Sequence, residues 1–318
     1  MPKVAILDDY AGVALQVADW SPVQKRAELT VFDRHLSEDE AVDVLRPFDV
    51  LCTLRERMAF PRTLLERLPN LKLITIVGRS LPNLDLAAAG EHGIVVAHSD
   101  FAHPRFRSLR DATPEFAWGL MIATVRHLAH EHAIMRDGGW QTSVGTTLSG
   151  KTLGVLGLGR IGRRMAGYAT AFGMDVIAWS QNLTEEAAAS AGARRVDKAT
   201  LFASSDVVSI HLVLSERTHG LVGEAELALM KPHAYLINTS RGPIVDEAAL
   251  VAALTAGRIA GAGLDVFDIE PLPKDHRLRG LPNVTLSPHL GYVTREMLGA
   301  FYSDTVESVV AWLDGRAS

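Results

Sequence analysis

The chain has 318 residues, of which 47% are hydrophobic and 22% charged, a balance that marks a folded protein with room for two domains. Its formal net charge of −5 leaves no global positive field for nucleic acid or an anionic membrane. The single cysteine, Cys52, excludes an intrachain disulfide framework and a cysteine metal cage, and no metal site is expected.

The first nine residues make one short apolar run that ends in acids. They read as a buried strand, not a signal peptide, and no apolar stretch is long enough to cross a bilayer. The expected compartment is the cytoplasm. Strands are predicted at 4–7, 29–32, 50–54, 73–77 and 95–98, with helices such as 38–46 and 62–68 between them. That alternation implies a parallel sheet with crossover helices. A loop at 101–110 carries Arg105, Arg107 and Arg110. These three either fold over an active site to meet a second anionic group or form a solvated loop or dimer contact. Thr113-Pro114-Glu115 then offers a helix start, and one helix is predicted from there to Arg136, ending at Gly138-Gly139. On it, Trp118, Leu120, Met121 and Val125 read as core or dimer contacts. His127, His130, Glu131 and His132 read as a solvated or interface face rather than a metal site.

A second α/β rhythm starts at Lys151, with strands at 152–156, 175–179, 207–212, 235–238, 262–264 and 284–286. Helices are clearest at 160–172 and 247–256, and a final helix is predicted at 295–313. The fold class is therefore α/β, with two Rossmann-like doubly wound parallel-sheet domains. Within the first strand–turn–helix stands Gly157-Leu158-Gly159-Arg160-Ile161-Gly162. Gly157 permits the tight turn, Gly159 a close backbone approach to a pyrophosphate, and Gly162 tight helix–strand packing. Amides at Arg160 and Ile161 would meet the anion. At the end of the next strand stand Ser180 and Gln181, with neither a carboxylate for ribose hydroxyls nor an adjacent cation for a 2′-phosphate. The cofactor is NAD or NADP, with NAD the first choice.

Three later segments set chemical groups at strand ends, where a parallel sheet binds ligands. They carry Arg241, then Asp265 with Glu270, then His289. Histidine suits proton transfer near neutrality, and the arginine fork suits a carboxylate. A glutamate beside the histidine stabilises imidazolium and fixes its orientation. This inventory fits hydride exchange between a nicotinamide and a small 2-hydroxy or 2-keto acid. A dinucleotide-sensing, corepressor-like binding protein on the same fold is the alternative.

At these residues the chain resembles the D-isomer-specific 2-hydroxyacid dehydrogenases, most strongly over residues 115–300. Gly157 to Gly162, Val208-Ser209-Ile210-His211-Leu212 and the stretches 238–246, 261–271 and 287–291 stand in the family's order. The resemblance implies a substrate domain at 1–114 plus 294–318, split around a nucleotide domain at 115–293, with the active site in the cleft. It implies D-stereospecificity and a homodimer joined through the nucleotide domain. By residue, it implies that Arg241 holds the substrate carboxylate, His289 is the acid/base, and Glu270 is its partner. Asp265 would bond the nicotinamide carboxamide and Ser180 the adenosine ribose. Leu212, Thr239, Arg241, His289 and Gly291 would complete the cofactor site. Arg55, Gly78 and Arg79 match substrate-binding positions. Here the chain departs from the family's G-x-G turn, because Val77-Gly78-Arg79-Ser80 lacks the second glycine.

Overall fold

In the computed structural model, which describes residues 1–78, 83–99 and 103–316, the strands form two parallel sheets, one in each of the two units into which the chain divides. The first unit takes Met1–Arg110 and Val293–Ser318. Its strands are β1 (Lys3–Ile6), β2 (Glu28–Val31), β3 (Val50–Cys52), β4 (Leu73–Ile76) and β5 (Val95–His98), in the order β2-β1-β3-β4-β5. Val4, Ala5, Ile6, Val50, Leu51, Leu73 and Ile74 are fully covered. Cover on both faces is why these strands appear in the sequence as continuous apolar runs. Strand order reverses between β1 and β3, and such a switch point opens a crevice at the carboxyl edge.

The helix Arg295–Leu313 belongs to this unit and buries Met297, Leu298, Phe301, Tyr302, Val306 and Val309. Phe301 meets Phe106 with ring centroids 5.8 Å apart. Arg105 is spent on this helix, bonding Glu307 at 2.8 Å with Asp304 3.7 Å away. Arg105 thus ties its loop to this helix, a role in neither of the two readings of the basic loop.

The second unit is Asp111–Tyr292. Its strands are β6 (Thr152–Leu156), β7 (Asp175–Trp179), β8 (Arg194–Arg195), β9 (Val207–Ile210), β10 (Tyr235–Asn238), β11 (Gly261–Leu264) and β12 (Val284–Leu286). They lie in the order β12-β11-β10-β9-β6-β7-β8, with the switch point between β9 and β6. The helix Ala112–Val125 packs against β10 and β11 and buries Trp118, Leu120, Met121 and Val125, which are core residues.

Two local expectations fail here. The helix predicted to run through to Arg136 breaks at His127, which takes a left-handed φ of 54°, and resumes as Leu128–Arg136. The cause is remote in sequence. The Val125 carbonyl is taken by the Thr146 amide at 3.0 Å, so it is withdrawn from the helical ladder. The helix also starts at Ala112, straight out of a 3-10 turn at Ser108–Asp111, and Thr113 is not its cap. Pro114 falls in the first turn, where its missing N–H is harmless.

Candidate active site

The predicted residues of the second unit lie along one carboxyl edge. In spatial order, His289 follows β12, Asp265 and Glu270 follow β11, and Thr239 and Arg241 follow β10. Leu212 follows β9, the glycine turn follows β6, and Ser180 follows β7. At about 4.8 Å per strand, these six strand ends span roughly 24 Å.

The glycine turn is built as its sequence implies. Gly157 has φ 101°, and a Cβ there would stand 2.6 Å from the His211 carbonyl oxygen. The helix Arg160–Ala171 starts at Gly159 without a side-chain cap, so its first amides are not met by a capping side chain. Across the switch point, His211 Nε2 lies 2.8 Å from Ser209 Oγ. Desolvation pulls the His211 imidazole down to about 3 from its ordinary 6.5. Its folded value is depressed, so the unfolded chain binds the proton first, and stability is lost as pH falls below about 6.5. The slope is up to about 1.4 kcal/mol per pH unit. His211→Gln should flatten it: the urea midpoint of the variant should fall less than that of the parent between pH 7.5 and pH 5.5. Equal falls would show that His211 is not the group responsible.

The acid/base candidates are bonded to each other. Glu270 Oε2 lies 2.6 Å from His289 Nδ1, while Glu270 Oε1 accepts from the Phe267 amide at 2.9 Å. Both carboxylate oxygens are thereby engaged, and the bond to Glu270 occupies Nδ1 and not Nε2 of the imidazole. His289 itself has φ 55°, a strained conformation for a non-glycine residue. Arg241 is half-buried on the adjacent strand end and donates from Nη1 to the Ser240 carbonyl at 2.7 Å. Its own carbonyl accepts from Asn238 Nδ2 at 2.9 Å, and Ser240 Oγ donates to the Leu212 carbonyl. The last of these bonds links the ends of β9 and β10, and the other two fold the end of β10 on itself.

Asp265 plays a part that the spacing did not reveal. It is 1% exposed and accepts from Ser287 Oγ at 2.6 Å and from the Leu290 and Gly291 amides at 2.7 and 2.9 Å. It therefore clamps both sides of His289. Burial pushes its carboxyl up, against three hydrogen bonds that favour the charged form. Thr239 Oγ1 is buried and has no hydrogen-bond partner among the described residues.

A buried hydroxyl without a partner among the described residues, a capless helix start and a turn that needs glycine at 157 and 162 fit a dinucleotide along this edge. Sequence reasoning also missed β8, whose register sets Arg194 opposite Ile177 and Arg195 opposite Ala178. Exposed arginines thus stand on the strand next to Ser180, brought there by strand pairing and not by nearness in sequence.

In the first unit Arg55 follows β3 with φ 59°, its Nε 3.5 Å from Glu56 Oε2, and Gly78 follows β4 with φ 127°. Arg79 lies outside the described residues. A group unseen in the sequence gathers at the β1/β3 switch point. Asp8, 2% exposed with φ 58°, accepts from Tyr10 Oη at 2.9 Å. Arg57 donates to the Asp8 carbonyl at 2.6 Å and lies 4.9 Å from the centre of the Tyr10 ring. His35 stands 3.8 Å from Asp8, whose carboxylate holds the imidazole above its ordinary range. Among the described residues there is no cluster of three or more ligating side chains that could hold a metal, and no helix long and apolar enough to cross a membrane.

Fold and edge together define a dinucleotide-dependent oxidoreductase. Residues 118–291 match the family model of the D-isomer specific 2-hydroxyacid dehydrogenase, NAD binding domain. The chain is 38% identical over 284 residues to a glyoxylate reductase of Thermococcus litoralis, covering 86% of this chain and 83% of that one. It is 35% identical over 292 residues to a hydroxypyruvate reductase of Thermotoga maritima, covering 90% and 92%. A crystal structure of a phosphoglycerate oxidoreductase from Vibrio cholerae superposes with a TM-score of 0.91 at 35% identity, covering 99% of this chain and 100% of that one. The chain belongs to the D-isomer-specific 2-hydroxyacid dehydrogenase family, and it is an NAD(P)-dependent enzyme of that kind. The corepressor-like alternative finds no support among these relatives.

Proposed function

We propose that the chain interconverts a small 2-keto acid and its D-2-hydroxy acid, with glyoxylate and hydroxypyruvate the first substrates to try. The 2.6 Å bond between Glu270 and His289 carries this reading, because it leaves one imidazole nitrogen to exchange a proton with the substrate oxygen. Arg241 binds the substrate carboxylate through its fork and shields the charge that develops on the carbonyl oxygen. Glu270 holds the imidazole in orientation and balances the imidazolium. The nicotinamide, when bound, supplies or takes the hydride.

Gly157, Gly159 and Gly162, with the Arg160 and Ile161 amides, would hold its pyrophosphate, and Ser180 its ribose. Leu212, Thr239, Asp265 and Gly291 would complete the site, with Arg241 and His289 bordering it. We assign substrate recognition to the first unit, through Arg55, Gly78 and Arg79. A panel of glyoxylate, hydroxypyruvate, pyruvate and bulkier 2-keto acids, each with NADH and NADPH, tests the reading through loss of nicotinamide absorbance. Oxidation of neither cofactor by any of these acids, nor reduction by any D-2-hydroxy acid, would overturn it.

The chain works in the cytoplasm as a homodimer joined through the second unit. Supporting this, Leu128 is 59%, Met135 52%, Trp140 76% and Val144 93% exposed on one arm of that unit. Apolar exposure on this scale suits a partner surface. Leu128→Glu combined with Met135→Glu should halve the mass seen by light scattering, with the far-ultraviolet spectrum retained. A dimer that survives this pair would place the interface elsewhere.

A further inference from the structure

The segments that carry Arg241 and Glu270 meet backbone to backbone, share the core through Ile244, Val245, Phe267 and Leu278, and are tied by a polar bond as well. Arg241 leads through a short 3-10 turn at Gly242–Ile244 into the helix Glu247–Thr255. Glu270 leads through residues 271–276 into a 3-10 turn at Arg277–Gly280. The backbones meet at Gly242, where a Cβ would stand 2.1 Å from the Phe267 carbonyl carbon and 2.6 Å from the Asp268 nitrogen. Backbone therefore rests on backbone, one residue beyond Arg241 and three before Glu270. Beside that contact, a small pocket lined by Gly242, Val245, Glu247, Val266, Asp268 and Leu278 lies between the two segments.

A hydrogen bond joins the two segments at Glu247, one of the residues that line this pocket. His276 Nε2 lies 2.9 Å from Glu247 Oε1. His276 Nδ1 accepts from the Leu278 amide at 3.3 Å, so in the neutral ring Nε2 carries the proton and Glu247 accepts it. The rest of the segment is stiffened internally, with Arg279 donating to the Leu272 and Pro273 carbonyls at 2.7 and 2.8 Å. Glu247 is six residues beyond Arg241, and His276 six beyond Glu270. Asp268 also faces Glu247 and Asp246, with His219 and His276 opposing them, and burial first and then the two acids hold its carboxyl above the usual range. Without the imidazole, Glu247 and Asp268 would repel across the pocket.

We propose that His276 and Glu247 are positioning residues whose hydrogen bond straps the Glu270 segment to the Arg241 segment, and so keeps the Glu270–His289 pair in register with the guanidinium. This rests on the roles given to Arg241, Glu270 and His289 above. The strap touches no substrate and acts through the loop alone. A carboxylate displaced by about an ångström is enough to cost on the order of a hundredfold in rate, and partial loosening costs less.

The two functions of His276 can be separated. Asparagine keeps an acceptor near Nδ1 for the Leu278 amide but cannot reach Glu247, whereas glutamine reaches Glu247 as Nε2 does. In the full-length dimer, His276→Asn and Glu247→Ala should each lower kcat about tenfold, with the NADH Kd unchanged and the alkaline limb of the pH profile moved to lower pH. Combined, they should lower it no further than either alone. His276→Gln should restore turnover and profile. In the chain without cofactor, the downfield Nδ1 proton of His289, read by imidazole 15N–1H spectra, should be lost in His276→Asn and kept in His276→Gln. Retention of this proton and of kcat in both His276→Asn and Glu247→Ala would overturn the strap, as would an equal loss in His276→Gln. The spectrum needs no substrate, so it still judges the strap if the assigned catalytic roles prove wrong, and full turnover in His289→Asn would refute those roles alone.

Discussion

Replacing His289 with asparagine should lower turnover of the best 2-keto acid by about two to four orders of magnitude, the usual worth of a positioned general acid. NADH affinity, followed by fluorescence, should stay within about twofold. Asparagine suits this test because residue 289 has φ 55°, and asparagine tolerates that region better than alanine. Its side chain can still meet Glu270, so the loop between Asp265 and Gly291 should hold. What disappears is the second ring nitrogen. Glu270 engages Nδ1 at 2.6 Å and the Phe267 amide at 2.9 Å, and has no position from which to replace the lost proton donor. Both kcat and kcat/KM should fall together, because the interaction belongs to the transition state. Turnover within about tenfold of the parent would remove His289 from the chemistry.

Strands were the most legible elements. Val50, Leu51, Leu73 and Ile74 are covered on both faces of a parallel sheet, so their apolar runs carry the signal without help from distant contacts. The glycine turn was legible for a related reason. The positive φ of Gly157 and the approach of Gly162 to the Gly157 carbonyl are demands within the turn itself, so they are written in neighbouring residues. That Arg241, Glu270 and His289 share one edge was legible because a parallel sheet brings its carboxyl ends together whatever the sequence separation.

Other features depend on partners far along the chain. The break at His127 is caused by the Thr146 amide, and no pattern within the helix announces it. β8 is two exposed arginines, without the apolar content that marks a strand, and exists only through pairing with β7. That the oxygens of Asp265 hold the backbone of the His289 loop depends on residues 22 to 26 positions away, so no spacing within its own segment shows it. The group of Asp8, Tyr10, His35 and Arg57 comes from three segments that only the order β2-β1-β3 makes neighbours. Strain shares this invisibility. Asp8, Arg55 and His289 all adopt left-handed conformations at strand ends, and such outliers gather where function constrains the chain.

Two alanine substitutions in the glycine turn should separate stability from cofactor binding. Gly162→Ala places a Cβ 2.2 Å from the Gly157 carbonyl oxygen and 3.0 Å from Val155 Cγ1, so backbone must move. Overpacking of this kind costs about 1–3 kcal/mol, and the thermal midpoint should fall by several degrees. The displaced helix carries the Arg160 and Ile161 amides with it, so NADH affinity should fall as well. Gly159→Ala is different. Its φ is −78°, and a Cβ there meets nothing within 4 Å. The chain should accept the methyl with its midpoint unchanged, or slightly raised through the lower entropy of the unfolded state. On the proposed reading, though, this is the residue whose backbone lets the pyrophosphate approach, and the methyl would stand in that approach. NADH affinity should drop more than about tenfold in a protein as stable as the parent. Undiminished binding by Gly159→Ala would mean that the phosphates are held elsewhere, because no loss of stability would be present to mask the result.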